Sequence, residues 1–188
     1  MDETLFRAIN GLAGHNQLLD TTLTLISGDG PFVLLGVLAL LWFWPGERAL
    51  RDSRQRIVII AVLSVAIALL LNQGIIHLWA RPRPYETLHA TLLLTPTHEP
   101  SFPSDHATFV FAIAVAALFA SAPLGLFSLF FAVLIAFARV YTGQHYVSDV
   151  IGGAVIGVFC TVLLWLLRRY LEPLISPLLR FTHRLHLG

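Results

Sequence analysis

Apolar residues in this chain come in long runs, broken by short clusters of polar residues, glycine and proline. Residues 3–27 are mixed. Leu5, Phe6, Ile9, Leu12, Leu18, Leu19, Leu23 and Ile26 recur at near-helical spacing. Asn10, His15, Asn16 and Asp20 interrupt them. The pattern predicts one or two amphipathic helices at the membrane interface, or a shallow re-entrant segment. Gly28-Asp29-Gly30-Pro31 then breaks the chain. Five apolar spans follow, over 32–44, 57–79, 104–120, 125–141 and 147–170. The first is short for a hydrocarbon core that needs about 20 residues. Either it borrows residues from the preceding segment or the bilayer thins around it. Residues 47–56 read as a charged loop, residues 80–103 as a polar connection rich in Pro and His, and residues 171–188 as a surface tail.

The predicted fold class is all-α: a polytopic transmembrane helix bundle of about five spans with amphipathic, interfacial or re-entrant helices in residues 1–30. Residues 1–188 are expected to form a single membrane-embedded domain. Composition agrees. Hydrophobic residues make up 56% of the chain and charged residues only 12%, against about 25% charged in a soluble domain. Cys160 is the sole cysteine, which excludes an intrachain disulfide and a zinc–thiolate cluster. The acidic start, without a basic region ahead of an apolar core, predicts no cleavable signal peptide. The net charge of +1 says little about partners; membrane lipids are expected, nucleic acid is not.

The kind of positive charge is more informative. All twelve basic residues are arginine, so no mechanism can use a lysine amine. Counting spans puts Arg48, Arg51, Arg54, Arg56, Arg168, Arg169, Arg180 and Arg184 on one side. Arg7, Arg81, Arg83 and Arg139 fall on the other. The richer side is expected to be cytoplasmic. Residues 80–103 and 139–147 then face the periplasm or exterior.

Three polar segments fall on that outer face: Arg81-Pro82-Arg83-Pro84, Pro103-Ser104-Asp105-His106, and Arg139 with His145 and Asp149. The third and fourth spans form a hairpin, so His106 and His145 should meet at one end of the bundle. Guanidinium groups match phosphate oxygens with bidentate geometry. Ser104 stands at a helix start, where free N–H groups favour an anion. His145 and Asp149 are spaced i, i+4 and share a helix face if the helix begins that early. Asp149 can then accept from one ring nitrogen and leave the other as nucleophile. His106 can donate a proton to a leaving group. This equipment suits phosphoryl transfer through a phosphohistidine, with no metal and no cofactor. His77, His89 and His98 match no local metal-ligand spacing. Gly152, Gly153 and Gly157 read as close helix packing.

These three segments resemble the signature of the phosphatidic-acid phosphatase type 2 superfamily. That signature is Lys, six residues, Arg-Pro; then Pro-Ser-Gly-His; then Ser-Arg, five residues, His, three residues, Asp. The resemblance spans residues 76–149. It implies that His145 is the nucleophile, that Asp149 orients it and that His106 protonates the leaving oxygen. Arg83, Arg139 and Ser104 would hold the phosphate. Ile76 stands where the family has lysine, Asp105 where it has glycine, and Ala138 where it has serine. With no lysine available, His77, Gln73 and Arg81 are the candidates to replace it in part, and Arg81 is the one expected as an added phosphate contact. The missing lysine and the run Ser101-Phe102-Pro103-Ser104-Asp105-His106-Ala107 resemble the bacitracin-resistance branch, the undecaprenyl diphosphate phosphatases. That resemblance implies a polyprenyl diphosphate substrate, a multi-pass place in the inner membrane with the site facing outward, and recycling of the cell-wall lipid carrier. A broader lipid phosphatase and a lipid-to-lipid phosphotransferase are the alternatives. A transporter would need polar residues continuing along the bundle, and the third to fifth spans lack them.

Overall fold

The computed structural model describes residues 1–184, with side chains to residue 182; Arg184 and the end of the tail lie outside the described side chains. Among the described residues the regular structure is all helical, without strands. In chain order the helices are α1 (Asp2–Asn10), α2 (Gln17–Phe43), α3 (Arg48–Leu78), α4 (Pro84–Thr87), α5 (Asp105–Ala120), α6 (Ala122–Tyr141), α7 (Val147–Leu166) and α8 (Arg168–Arg184). Helices α2, α3, α6 and α7 are long and apolar enough to cross a membrane, and α5 is a shorter apolar helix. The chain is a multi-pass membrane protein.

Helix α5 is the axis of the bundle and packs against α2, α3, α6 and α7. Its sequence explains the position. Ala107, Ala112, Ala114, Ala116 and Ala117 are fully buried, and small side chains let neighbouring backbones come close. A helix that is apolar all round belongs inside. On α7 the glycines complete the fit. A Cβ at Gly157 would lie 2.3 Å from the Thr108 carbonyl oxygen, and one at Gly153 would lie 2.4 Å from that of Ser104. Gly152 faces the Phe102 ring instead. The close-packing expectation for these glycines holds. At 16 residues, α5 rises only about 24 Å, so at least one of its ends lies within an apolar core of about 30 Å.

Two boundaries differ from the sequence expectation. The first span borrows residues from the segment before it: α2 runs unbroken through Gly28-Asp29-Gly30-Pro31 for 27 residues. Asn16 caps its start, accepting from the Leu19 N–H. Pro31 removes one helical hydrogen bond, a loss that tolerates repair inside a helix bundle. Gly30 is required where it stands, because a Cβ there would lie 2.8 Å from Ile135 of α6. Only α1 remains as a separate amphipathic helix. Residues 48–56, expected as loop, form the first turns of α3. There Arg54 donates to the Trp44 carbonyl at 2.8 Å, and Arg56 pairs with Glu172 of α8. The tail also continues as the helix α8, packed on α3 and α7.

The topology gathers the C-terminal ends of α3 and α6 with the N-terminal ends of α5 and α7. Helix α1 and the start of α2 sit at this same end, where Asn10 bonds the Tyr141 carbonyl at 2.8 Å.

Gly157→Val should lower stability by about 1–3 kcal/mol, the usual cost of overpacking. Thermal unfolding in detergent measures it. An unchanged midpoint would show that α5 and α7 do not need this approach.

Candidate active site

The three polar segments converge at that end around a cavity of about 150 Å³. Arg83, His106, Arg139 and His145 line it, with Ile76, Glu99 and Asp105 among the other walls. The sequence-predicted residues divide into those that face this cavity and those that stand behind it.

Arg83 and Arg139 face it and are almost fully buried, at 5% and 6% exposure. The Arg83 Nε donates to the Glu99 carbonyl at 2.7 Å, and its NH1 donates to the Gln144 carbonyl at 3.1 Å. Arg139 donates to the Ser27 hydroxyl at 3.3 Å, while its buried Nε has no partner. Among the described residues neither guanidinium is ion-paired. Two buried cations with no carboxylate in ion-pair contact are costly in so apolar a setting.

His145 lies in the loop between α6 and α7, not on the helix, and is 3% exposed. Its Nδ1 donates to the Ser101 carbonyl at 2.9 Å. The Asp149 carboxylate is 3.7 Å from that nitrogen, too far for a hydrogen bond. The expected direct His145–Asp149 bond is thus replaced by a bond to a carbonyl. The consequence for the ring is the same: a donor role fixes the proton on Nδ1 and leaves Nε2 uncommitted. Burial pushes the imidazole down to about 4 from its ordinary 6.5, aided by Arg139 and Arg83 and opposed by Asp149. The ring is therefore neutral at ordinary pH.

Asp149 is completely buried at the first turn of α7. One oxygen accepts from Arg81 at 2.6 Å. The other accepts from the Tyr146 N–H at 2.8 Å and from the Ser101 hydroxyl. The sequence marks Ser101 only as part of the run 101–107, with no role in the site. It is fully buried, donates its N–H to the Arg81 carbonyl at 2.8 Å, and links Asp149 to His145 through its own hydroxyl and carbonyl. No local pattern marks it, because its partners are 44 and 48 residues away.

Ser104 caps α5, as its position predicts. Its hydroxyl accepts from the Ala107 N–H at 3.4 Å, and its own N–H donates to the Asp149 carbonyl at 3.1 Å. It stands behind the cavity rather than among its lining residues. Arg81 departs furthest from expectation. Its guanidinium is bound to Asp149, to Asp2 at 2.7 Å and to the Ser148 hydroxyl at 2.6 Å. It lies 4.1 Å over the Tyr146 ring and does not line the cavity. Two carboxylates already satisfy it, so it is not a free phosphate contact. His77 is turned back onto the Gln73 carbonyl at 2.7 Å. The lysine position therefore stays apolar, occupied by Ile76 in the cavity wall.

An apolar groove of about 280 Å³ meets the cavity at Asp105 and His106, which line both. Pro31, Phe32 and Leu35 of α2, Leu69 of α3 and Phe109 of α5 form its walls.

The chain is similar to several known proteins. The undecaprenyl-diphosphatase BcrC of Bacillus subtilis is 28% identical over 180 residues, 96% of this chain and 91% of that protein. An undecaprenyl-diphosphatase of Sulfolobus acidocaldarius is 32% identical over 164 residues, 85% of this chain and 74% of that protein. The crystal structure of Aquifex aeolicus LpxE superposes with a TM-score of 0.73 at 28% identity, covering 86% of this chain and 93% of that one. A PAP2-type phosphatidylglycerolphosphate phosphatase from Bacillus subtilis shares the fold, with a TM-score of 0.65 at 22% identity over 89% of this chain and 86% of that one. The PAP2 superfamily model matches residues 57–173, the stretch that carries every cavity-lining histidine and arginine, and the chain belongs to that superfamily.

Proposed function

We propose that this protein hydrolyses the terminal phosphate of undecaprenyl diphosphate through a phosphohistidine on His145, at the outer face of the inner membrane. The observation that carries the reading is the pair Arg83 and Arg139: two buried guanidiniums, neither ion-paired among the described residues, in one cavity with His106 and His145. A phosphate supplies the anion they lack. The adjoining apolar groove suits an isoprenoid chain, and similarity to proteins named undecaprenyl-diphosphatase favours this substrate over other lipid phosphates. Arginine asymmetry supports the outward face. Arg48, Arg51, Arg54, Arg56, Arg168, Arg169 and Arg180 lie on the side opposite the site, whereas Arg81, Arg83 and Arg139 are held within it.

In the first step Nε2 of His145 attacks the terminal phosphorus, and the bond to the bridging oxygen breaks. Arg83 and Arg139 take up the charge spreading over the phosphoryl oxygens. The proton that the terminal phosphate brings in passes to His106, which gives it to the departing undecaprenyl phosphate. Neutral His106 then takes a proton from water, whose oxygen attacks the phosphohistidine. Inorganic phosphate leaves with that proton, and both histidines return to their starting forms. The Ser101 carbonyl keeps the proton of His145 on Nδ1 throughout the approach to substrate.

Purified protein should release phosphate from undecaprenyl diphosphate at least about ten times faster than from phosphatidic acid, a factor worth about 1.4 kcal/mol. Equal rates on both would make it a broad lipid phosphatase, and labelled phosphate passing to another lipid would make it a phosphotransferase. His145→Ala should abolish turnover and acid-labile labelling of the protein, whereas EDTA should leave the rate unchanged. Ser101→Ala keeps the carbonyl but deletes the hydroxyl bond to Asp149. It should lower kcat about 10-fold or more, as loss of a supporting hydrogen bond does at other sites, with KM little altered. A KM effect alone would place Ser101 in substrate binding. The lowered imidazole of His145 also fixes a sign. Its nucleophilic neutral form persists as pH falls and is lost only near pH 4. The acidic limb of kcat/KM, which reports the free enzyme, should fall there, and a limb near 6.5 would contradict the buried, arginine-flanked histidine.

A further inference from the structure

Helix α1 carries one stripe of residues that bond or pack onto the segments standing behind the active site. Asp2, Phe6 and Asn10 are spaced i, i+4, i+8 and lie on a single helix face. Asp2 accepts from Arg81 at 2.7 Å, from the Ser148 N–H at 3.0 Å and from the Ser148 hydroxyl. Phe6 is fully buried with its ring 5.6 Å from that of Tyr146. Asn10, 3% exposed, donates to the carbonyls of Tyr141 and Thr91 at 2.8 Å and accepts from the Thr91 N–H at 2.9 Å. A helix that only floats on a membrane surface needs an apolar face. It does not need a carboxylate and an amide with buried partners.

We propose that α1 is a positioning element for the nucleophile, acting through the chain Asp2–Arg81–Asp149–Ser101–His145. Each link is a bond already described. Asp2 and Asp149 hold opposite ends of the Arg81 guanidinium, through NH2 and NH1. The Arg81 carbonyl accepts from the Ser101 N–H, and Asp149 accepts from the Ser101 hydroxyl. Ser101 is therefore gripped on two sides, and its carbonyl sets the His145 ring. Tyr146, next to His145, is clamped between Phe6 and the Arg81 guanidinium. Burial raises the Asp2 carboxyl, but the bonds from Ser148 and Arg81 outweigh it and hold it below its ordinary value. The bonds run the other way for Arg81, whose guanidinium stays charged despite burial. Arg81 and Asp2 are positioning residues, because they act on the ring only through Asp149 and Ser101.

This inference rests on reading His145 as the nucleophile, and a double-mutant cycle on the full chain tests it. Arg81→Gln should lower kcat by about 10- to 100-fold, the range for outer-shell partners, with KM within about twofold. Asp2→Asn should lower kcat about 3- to 10-fold, a smaller part of that outer-shell effect. Because Asp2 acts through Arg81, the double variant should be no slower than Arg81→Gln alone. The pH profile separates positioning from general loosening. Around His145 stand Asp149 of α7, Arg139 of α6, His106 of α5 and Arg83. Removing the Arg81 cation leaves Asp149 freer to stabilise imidazolium, so the acidic limb of kcat/KM moves up. Additive losses, a raised KM with kcat kept, or an unmoved limb would each overturn the proposal. Should Arg81→Gln fail to fold, Asp2→Asn at the rim still gives the kcat and KM reading. Should the wild-type chain release no phosphate from the lipid diphosphate, the functional reading fails by itself. Amide hydrogen exchange over residues 99–106 and 144–149 then decides: faster exchange in Asp2→Asn supports the positioning role of α1, and unchanged exchange overturns it.

Discussion

A guanidinium or carboxylate at the end of an apolar helix bundle costs several kcal/mol unless something neutralises it. That constraint sorts the three arginines of the site into two kinds. Arg81 lies between Asp149 and Asp2 and is satisfied within the fold. Arg83 and Arg139 have only carbonyl and hydroxyl acceptors and keep their positive charge turned on the cavity. The first arrangement makes structure, and the second suits the anion of the proposed substrate. The same residue type serves both because a guanidinium can be bonded on two edges at once.

The sorting depends on how closely α5 and α7 approach. Glycine at 153 and 157 brings the α7 backbone against the Ser104 and Thr108 carbonyls. The Ser104 N–H reaches the Asp149 carbonyl as a result. With larger residues the helices would part, and the Ser101 hydroxyl would no longer reach the Asp149 carboxylate. The polar chemistry at one end thus rests on small residues along the bundle.

How far this could be read from the sequence depends on whether the cause was local. The start of α5 at Ser104, the turn at Ser121 and the start of α7 at Val147 were legible, because caps and turn residues act within a few positions. The convergence of Arg83, His106, Arg139 and His145 was legible from span counting. Arg81 was not: its partner Asp2 is 79 residues away, and nothing near either residue signals the other. The i, i+4 spacing of His145 and Asp149 suggested a direct bond, but α7 begins two residues after His145, so the pair never shares a helix face. The break expected at 28–31 carried over a rule for helices in water. Inside the bundle Gly30 is a packing residue and Pro31 forfeits a single bond.

In the proposed mechanism, the junction of groove and cavity is what suits His106, rather than His145, to the acid role. His106 and Asp105 are shared by both spaces, while His145 and the two free arginines line only the cavity. A lipid diphosphate lying with its chain in the groove and its terminal phosphate among the arginines puts its bridging oxygen at that junction. In the proposed mechanism His106, beside the junction, meets the leaving oxygen, and His145, which lines the cavity alone, meets the far phosphorus. Asp105 adds a carboxylate at the same place, bonded by Asn72 at 2.6 Å. A carboxylate there disfavours a second free anion at the mouth and leaves the cationic pocket as the place for the terminal phosphate. The orientation of substrate then follows from where charge is tolerated, before any contact specific to the lipid is considered.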